Sequence, residues 1–141
     1  MDRSEENLWL ELVVSSPVLF VTNDFGPRAG GIETFVIGLI ERRPFGQTIV
    51  YTSAQAGSEE YDKAWKTDFG VTVIRDRAKI LLPTPRVARN VARIIKESEI
   101  QVAAFGAAAP LGLLSASMKR AGVQKTAALT HGHEVWWAKV F

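Results

Sequence analysis

The sequence predicts an α/β protein: a parallel sheet with the strand order 3-2-1-4-5 and helices on both faces, a Rossmann-like arrangement. Two observations predict this fold. Short apolar runs alternate with segments of helical periodicity, and the length of 141 residues corresponds to one domain. Strands separated by helices pair in parallel through right-handed crossovers, and this rule favours that strand order.

Five short runs predict the strands. They are apolar at nearly every position, as is typical of parallel strands buried on both faces. They cover residues 17–23, 48–52, 71–75, 100–105 and 126–130.

Three segments carry apolar residues at helical spacing, namely residues 32–42, 86–98 and 111–121. Pro85 suits the first turn of the second helix because the N–H that proline lacks is unpaired there. Gly122 suits the end of the third helix. Residues 53–70 are polar and irregular, and we expect no more than one helical turn among them.

We divide the chain into an N-terminal extension, residues 1–16, and one domain, residues 17–141. The first six residues carry three acidic side chains against one basic side chain, the wrong charge for a secretory signal. No apolar run reaches the roughly 20 residues that a membrane-spanning helix requires. The chain has no cysteine, which excludes disulfides and thiolate metal sites. We therefore expect a cytoplasmic protein, and the net charge of +2 gives no reason to expect nucleic acid as a partner.

Three loops are expected to meet where the strand order reverses, which is where such sheets bind ligands. They are residues 23–31, 106–110 and 131–134. In the first loop, Gly30 and Gly31 precede a helix, so backbone N–H groups can approach an anion there. The same pair is equally compatible with a loop that only needs positive φ. Its spacing matches neither the dinucleotide-binding motif nor the phosphate-binding P-loop.

His131 and His133 are the only histidines, and Glu134 follows them. Alternate residues of an extended segment point the same way. The pair therefore favours proton transfer, hydrogen bonding to a polyol, or metal ligation. The alternative is a pair of loop histidines that only cap the next helix or bond to backbone.

A basic segment spans residues 75–96, with seven basic residues against one acidic residue. Leu81, Leu82 and Pro83 form an apolar stretch beside it, which we expect to be exposed. The segment is either a solvated helix face or a contact with an anionic membrane surface. Nucleic acid is disfavoured because no aromatic residues alternate with these charges. The cations that share one helix face are Arg86, Arg89, Arg93 and Lys96.

Three segments carry a resemblance to a known family. Residues 21–33 resemble the first glycine-rich loop of the family 4 retaining glycosyltransferases, although Gly26 stands where a second proline is expected. Residues 105–110 and 130–135 resemble two further segments of GDP-mannose-dependent phosphatidylinositol-mannoside mannosyltransferases. The resemblance runs from about Val18 to the end of the chain. It implies the N-terminal, acceptor-binding half of a GT-B fold.

The resemblance also implies roles for individual residues. Gly30 and Gly31 would place N–H groups near the donor diphosphate. His131 would be catalytic, hydrogen-bonding the transferred sugar and stabilising charge in the transition state. The remaining expected substrate-binding residues are Asn23, Asp24, Arg28, Gly106, His133 and Glu134.

The implied partners are GDP-mannose or another nucleotide sugar and a lipid-linked or polyol acceptor. The basic helix face adds an anionic membrane surface, which we expect at the inner face of the cell membrane. The resemblance implies retention of anomeric configuration and no metal or other cofactor. The chain ends at Phe141, before the C-terminal GT-B domain that grips the nucleotide, so we expect it to be inactive alone.

Two alternatives belong to other classes of protein. One is a metal-dependent hydrolase with His131, His133 and Asp24 as ligands. The other is a non-catalytic remnant or binding module.

Overall fold

The computed structural model of the chain describes residues 3–4, 16–27, 31–106 and 110–128, with the backbone alone at residues 31–33 and 35. It contains a parallel sheet in the order β3-β2-β1-β4-β5, which confirms the predicted strand order. The strands are β1 Val18–Val21, β2 Thr48–Thr52, β3 Thr72–Arg75, β4 Val102–Phe105 and β5 Lys125–Ala128.

The helices connect successive strands. They are α1 Gly31–Glu41, α2 Ser58–Phe69, α3 Pro85–Glu97, and a 3-10 turn Leu111–Leu114 that continues into α4 Ser115–Ala121. Val21 pairs with Tyr51 on one side and with Phe105 on the other, and Phe105 pairs with Ala128. The carboxyl ends of β1, β2, β4 and β5 therefore lie level with one another at one edge of the sheet.

Both faces of the sheet are buried because neighbouring residues of a strand point to opposite sides. In β1, Leu19 and Val21 belong to the core formed with α3 and α4, whereas Val18 and Phe20 belong to the core formed with α1 and α2. This explains why the central strands are apolar at consecutive positions.

The prediction for residues 53–70 is wrong, because α2 occupies 12 of these residues. Tyr61, Trp65 and Phe69 recur at every fourth position and so share one face of the helix. The ring centroids of Tyr61 and Trp65 are 6.3 Å apart, and those of Trp65 and Phe69 are 4.9 Å apart. The other positions of the helix are mostly polar, which hid this narrow aromatic stripe. Gly70 ends the helix with φ of 67°, a conformation that glycine adopts without strain.

Helix α3 begins as the sequence predicts. Pro85 occupies its first turn, and Thr84 Oγ1 accepts a hydrogen bond of 3.3 Å from Val87 N. Its buried stripe is Val87, Val91, Ile94 and Ile95. The stripe holds the helix against the sheet and leaves its basic positions on the outside.

Candidate functional site

The ends of β1 and β4 meet at the point where the strand order reverses. Gly106 N donates a hydrogen bond of 3.1 Å to Val21 O. Gly106 is itself buried, and a Cβ atom there would lie 2.6 Å from Thr22 Cβ. Thr22 is fully buried, and its Oγ1 accepts from Asp24 N at 2.8 Å. Packing against Thr22 is therefore a sufficient reason for glycine at position 106.

Asn23 joins the first loop to the loop that precedes α3. Its Nδ2 donates to Leu81 O at 3.1 Å, and its Oδ1 accepts from Leu81 N at 2.7 Å. Both polar atoms of the amide are thus bonded to the backbone of one residue. Asn23 lies at the predicted edge of the sheet, and these bonds give it a role in fixing the loop before α3.

Leu81 is fully buried, so the expectation that it is exposed is wrong. The two hydrogen bonds from Asn23 fix the backbone of Leu81, and the Leu81 side chain packs in the core beside α3. Its neighbours Ile80 and Leu82 are 65% and 50% exposed. The apolar part of this loop that solvent contacts is therefore the pair on either side of Leu81.

The first loop is also held from β3 and from the segment after β2. Gln55 Nε2 donates to Phe25 O at 2.9 Å, and Arg75 Nη2 donates to Gly26 O at 2.7 Å. A Cβ atom on Gly26 would lie 2.7 Å from Tyr61 Cζ. Glycine at position 26, where the resemblance led us to expect proline, therefore fits the close packing of the Tyr61 ring.

Asp76 follows β3 and is the centre of a buried polar cluster. Arg86 Nη1 and Nη2 donate to Asp76 Oδ1 and Oδ2, each at 2.8 Å, and Ala78 N donates to Oδ2 at 2.9 Å. Tyr51 donates its hydroxyl proton to Oδ1, and Asn90 Nδ2 donates to the Tyr51 hydroxyl at 3.2 Å. The cluster ties α3 to the ends of β2 and β3.

Electrostatics keep Asp76 ionised and Tyr51 protonated. The hydrogen bonds from Arg86 hold the pKa of the Asp76 carboxyl well below its ordinary value. Burial, and then the hydrogen bond to Asp76, raise the pKa of Tyr51 to about 12. Neither group changes its charge near neutral pH, so the cluster is an anchor and not an acid–base pair.

The basic residues of α3 divide into two kinds. The charge of Arg86 is compensated by Asp76, whereas Arg89, Arg93 and Lys96 are exposed. Arg77 and Lys79 are also exposed, beside Ile80 and Leu82. We call these seven exposed residues, the five cations and the apolar pair, the basic–apolar surface. In the part of the chain that the structure describes, no helix has the length and apolarity to traverse a bilayer.

Several predicted site residues lie outside the described residues: Arg28, Gly30, His131, His133 and Glu134. Gly31 is the first residue of α1, and Asp24 is half-buried just beyond β1. Ala128 ends β5 at the same edge of the sheet as Thr22 and Gly106. Asn23, Asp24 and Gly106 are therefore the predicted residues that the structure brings together.

Metal ligation rests on residues that the structure does not describe. Among residues 3–4, 16–27, 31–106 and 110–128, no three histidine, aspartate or glutamate side chains gather into a possible metal site. His131 and His133 fall beyond these ranges, so the expectation that the protein binds no metal stays a prediction.

Sequence reasoning missed Arg75 and Asp62 as residues that fix the first loop. Arg75 was counted only as part of the basic segment, and its charge is paired with Asp62 at 2.8 Å. The available signal was a charged residue at the end of an otherwise apolar strand. The partner 13 residues earlier could not be identified without the fold.

No family model matches the chain. It is similar to the GDP-mannose-dependent monoacylated alpha-(1-6)-phosphatidylinositol monomannoside mannosyltransferase of Corynebacterium glutamicum, with 42% identity over 124 residues. It is also similar to the GDP-mannose-dependent alpha-(1-6)-phosphatidylinositol monomannoside mannosyltransferases of Mycolicibacterium smegmatis and Mycobacterium tuberculosis, with 43% and 42% identity. These matches cover 86% to 88% of this chain but only 32% of each relative. The chain therefore spans about a third of the length of the curated relatives, matching their N-terminal part.

Proposed function

We propose that this chain is the N-terminal, acceptor-binding part of a retaining GT-B glycosyltransferase that transfers mannose from GDP-mannose to a phosphatidylinositol-mannoside-type lipid. The observation that carries the proposal is the similarity at 42% to 43% identity, along most of the chain, to three proteins named for this reaction. The hydrolase alternative has no such support.

The start of α1 is the place for the donor diphosphate. Gly31 begins this helix of 11 residues just beyond the first loop. The first N–H groups of a helix have no partner within the helix, and its dipole favours negative charge there. Backbone N–H groups of Gly30 and Gly31 bind the diphosphate oxygens in this proposal, in place of a metal ion.

His131 is the catalytic residue of the proposal. Its imidazole hydrogen-bonds a hydroxyl of the transferred sugar and stabilises the charge that develops in the transition state. The side chains of Asp24, Arg28, His133 and Glu134 line the crevice around the two sugars. Gly106 contributes backbone to the same wall, and Asn23 holds the wall through Leu81.

The basic–apolar surface brings the protein to the membrane that contains the acceptor. Each exposed cation near an anionic surface contributes roughly 1 kcal/mol, and the apolar pair Ile80 and Leu82 can enter the headgroup region. The protein then works in the cytoplasm, at the inner face of the cell membrane. Arg86 contributes less because its charge is already paired with Asp76.

A second domain completes the site. The relatives are about three times as long as the matched part, and in GT-B enzymes the donor lies between two domains. Positioning donor and acceptor together provides much of the rate. A few backbone hydrogen bonds, each contributing about 0.5–1.5 kcal/mol, hardly exceed the cost of association. The chain alone therefore binds GDP-mannose at millimolar strength or more weakly.

The test is a transfer assay with GDP-mannose and phosphatidylinositol monomannoside in vesicles. The chain is assayed alone and with the remaining part of one relative supplied as a separate domain. Mannose transfer is expected only when both parts are present. It should continue when a chelator is added, and it should be lost in His131→Ala. Transfer by the 141-residue chain alone would contradict the division of the site. Activity that needs one particular divalent ion would favour the hydrolase.

A further inference from the structure

Arg75 lies two strands from the first loop but is bonded to it. It is the last residue of β3, one of the two edge strands of the described sheet. Its Nη1 donates to Ser53 O at 3.0 Å, and its Nη2 donates to Gly26 O at 2.7 Å. The guanidinium therefore connects the carboxyl end of the edge strand with the end of β2 and with the first loop.

Asp62 fixes the direction of this guanidinium from the other side. Arg75 Nε and Nη2 donate to Asp62 Oδ2 and Oδ1 at 3.0 and 2.8 Å. The two side chains are 13% and 19% exposed, so water competes little for these bonds. A two-point pair of this kind sets orientation as well as distance.

The Phe25 ring completes the contact. The Arg75 guanidinium carbon lies 5.7 Å from the ring centroid, within the range of a cation–π interaction. Phe25 is fully buried, and its ring also contacts Tyr61 and Trp65 of α2. Arg75 thus holds the loop at two points, the ring of Phe25 and the carbonyl oxygen of Gly26.

Arg43 is a comparable arginine at the opposite end of the strands, beside the start of β2. It is half-buried, and it donates to Thr48 Oγ1 at 2.9 Å and to Gln47 O at 3.1 Å. Arg43 also donates to Ser16 O at 3.4 Å, so both arginines connect separate segments and the loss of either is expected to lower stability. Arg75 donates to the described part of the loop that leads into α1, whereas the described contacts of Arg43 are at the amino end of β1 and β2. This difference separates a positioning role from a stabilising one.

We propose that Arg75 is a positioning residue for donor binding: it fixes the carbonyl of Gly26, five residues before α1 begins, and so holds the described part of the first loop, residues 23–27, in place ahead of that helix. The proposal rests on the donor site proposed above. A loop that adopts its binding shape only part of the time binds more weakly in proportion to that fraction. Removing the guanidinium should therefore weaken nucleotide binding beyond the effect of lower stability, for which Arg43→Met is the control.

The experiment compares Arg75→Met, Arg75→Lys and the matched control Arg43→Met in the complete chain. GDP, the soluble nucleotide part of the donor, is titrated by NMR, and hydrogen exchange is followed at the amides of Phe25, Gly26 and Thr34. Arg75→Met is expected to raise the GDP dissociation constant roughly tenfold, as for a loop competent about a tenth of the time. Loop exchange should quicken, Arg75→Lys should restore part of both effects, and Arg43→Met should change neither.

Each other result has a defined meaning. Unchanged GDP affinity and loop exchange in Arg75→Met would overturn the positioning role while leaving the donor site intact. Equal losses in Arg43→Met would also overturn it, because they would show an effect of general stability. If the unaltered chain gives no GDP-dependent shifts even when the GDP concentration is raised well above the millimolar range, the proposed donor site fails and the role of Arg75 in donor binding fails with it.

Discussion

Arg86 binds Asp76 at two points: its Nη1 and Nη2 donate to the two carboxylate oxygens, each at 2.8 Å. The carboxylate is almost fully buried, so its charge depends on this partner. The pair joins the first turn of α3 to the end of β3. Because Asp76 neutralises the charge of Arg86, one of the four cations predicted to contact a membrane is already paired.

Replacing Asp76 by Asn should lower the free energy of unfolding by about 1.5–3 kcal/mol, because hydrogen bonds to a charged group are lost. Urea unfolding near neutral pH measures this change. Asp68→Asn, an exposed position on α2, is the control and should change stability by less than about 0.5 kcal/mol. Equal stability of the two variants would show that the buried pair contributes nothing.

Acid should remove the same contribution. The pKa of Asp76 is lowered in the folded protein, so its stabilising effect is complete above the unfolded value of about 3.9 and is lost as pH falls toward the folded value. The difference in unfolding free energy between the parent protein and Asp76→Asn should shrink as pH drops below about 4. A difference that stays constant through this range would contradict the lowered pKa.

Tyr51 should titrate late in alkali. Burial raises its pKa to about 12, so the folded state keeps the phenol proton after an unfolded chain loses it at about 10. Between these values stability should fall as pH rises. A rapid ultraviolet titration of the phenolate measures the pKa, and Tyr51→Phe should remove the step at about 12. Ionisation of Tyr51 at its ordinary pKa would contradict its burial beside Asp76.

Gly106→Ala should destabilise the protein by about 1–3 kcal/mol, because the added Cβ atom overlaps Thr22. Gly112→Ala is the matched control, since a Cβ atom at position 112 meets no other atom within 4 Å. Thermal unfolding of both variants measures the difference. If Gly106→Ala is as stable as Gly112→Ala, the close approach of Thr22 does not explain this glycine.

Neutralising Arg89, Arg93 and Lys96 to Gln should weaken binding to anionic vesicles, most clearly at low salt, by up to roughly 3 kcal/mol at about 1 kcal/mol for each cation. The control neutralises three exposed cations elsewhere, Lys119, Arg120 and Lys125, and makes the same change in net charge. Co-sedimentation compares the two triple variants. Equal losses would indicate attraction by net charge alone, and unchanged binding would leave only a solvated helix face.

The strands followed from the sequence because burial on both faces forces consecutive apolar residues into each central strand. Their order followed from the rule that parallel strands are joined by right-handed crossovers. Helix α2 did not follow, although Tyr61, Trp65 and Phe69 mark it. Three aromatic residues stabilise this helix against Phe25 and the sheet, while most of its remaining positions are polar and exposed to solvent. Averaged over the whole segment, the pattern resembles a loop. Similarly, Leu81 was expected in solvent because apolar neighbours in a loop give no sign of which one turns inward.

The sequence by itself determined the parallel sheet and the helix with the basic face, and it predicts the end of the sheet at which a ligand would bind. These features depend on local periodicity and on connection rules, which a linear pattern contains. Only the tertiary structure decided which side chains are already bonded. Asn23 reaches Leu81 across 58 positions, Arg75 reaches Gly26 across 49, and Arg86 gives up its free charge to Asp76. Such contacts depend on the register of neighbouring strands and on how the loops cross the sheet edge, because these bring residues distant in sequence within hydrogen-bonding distance.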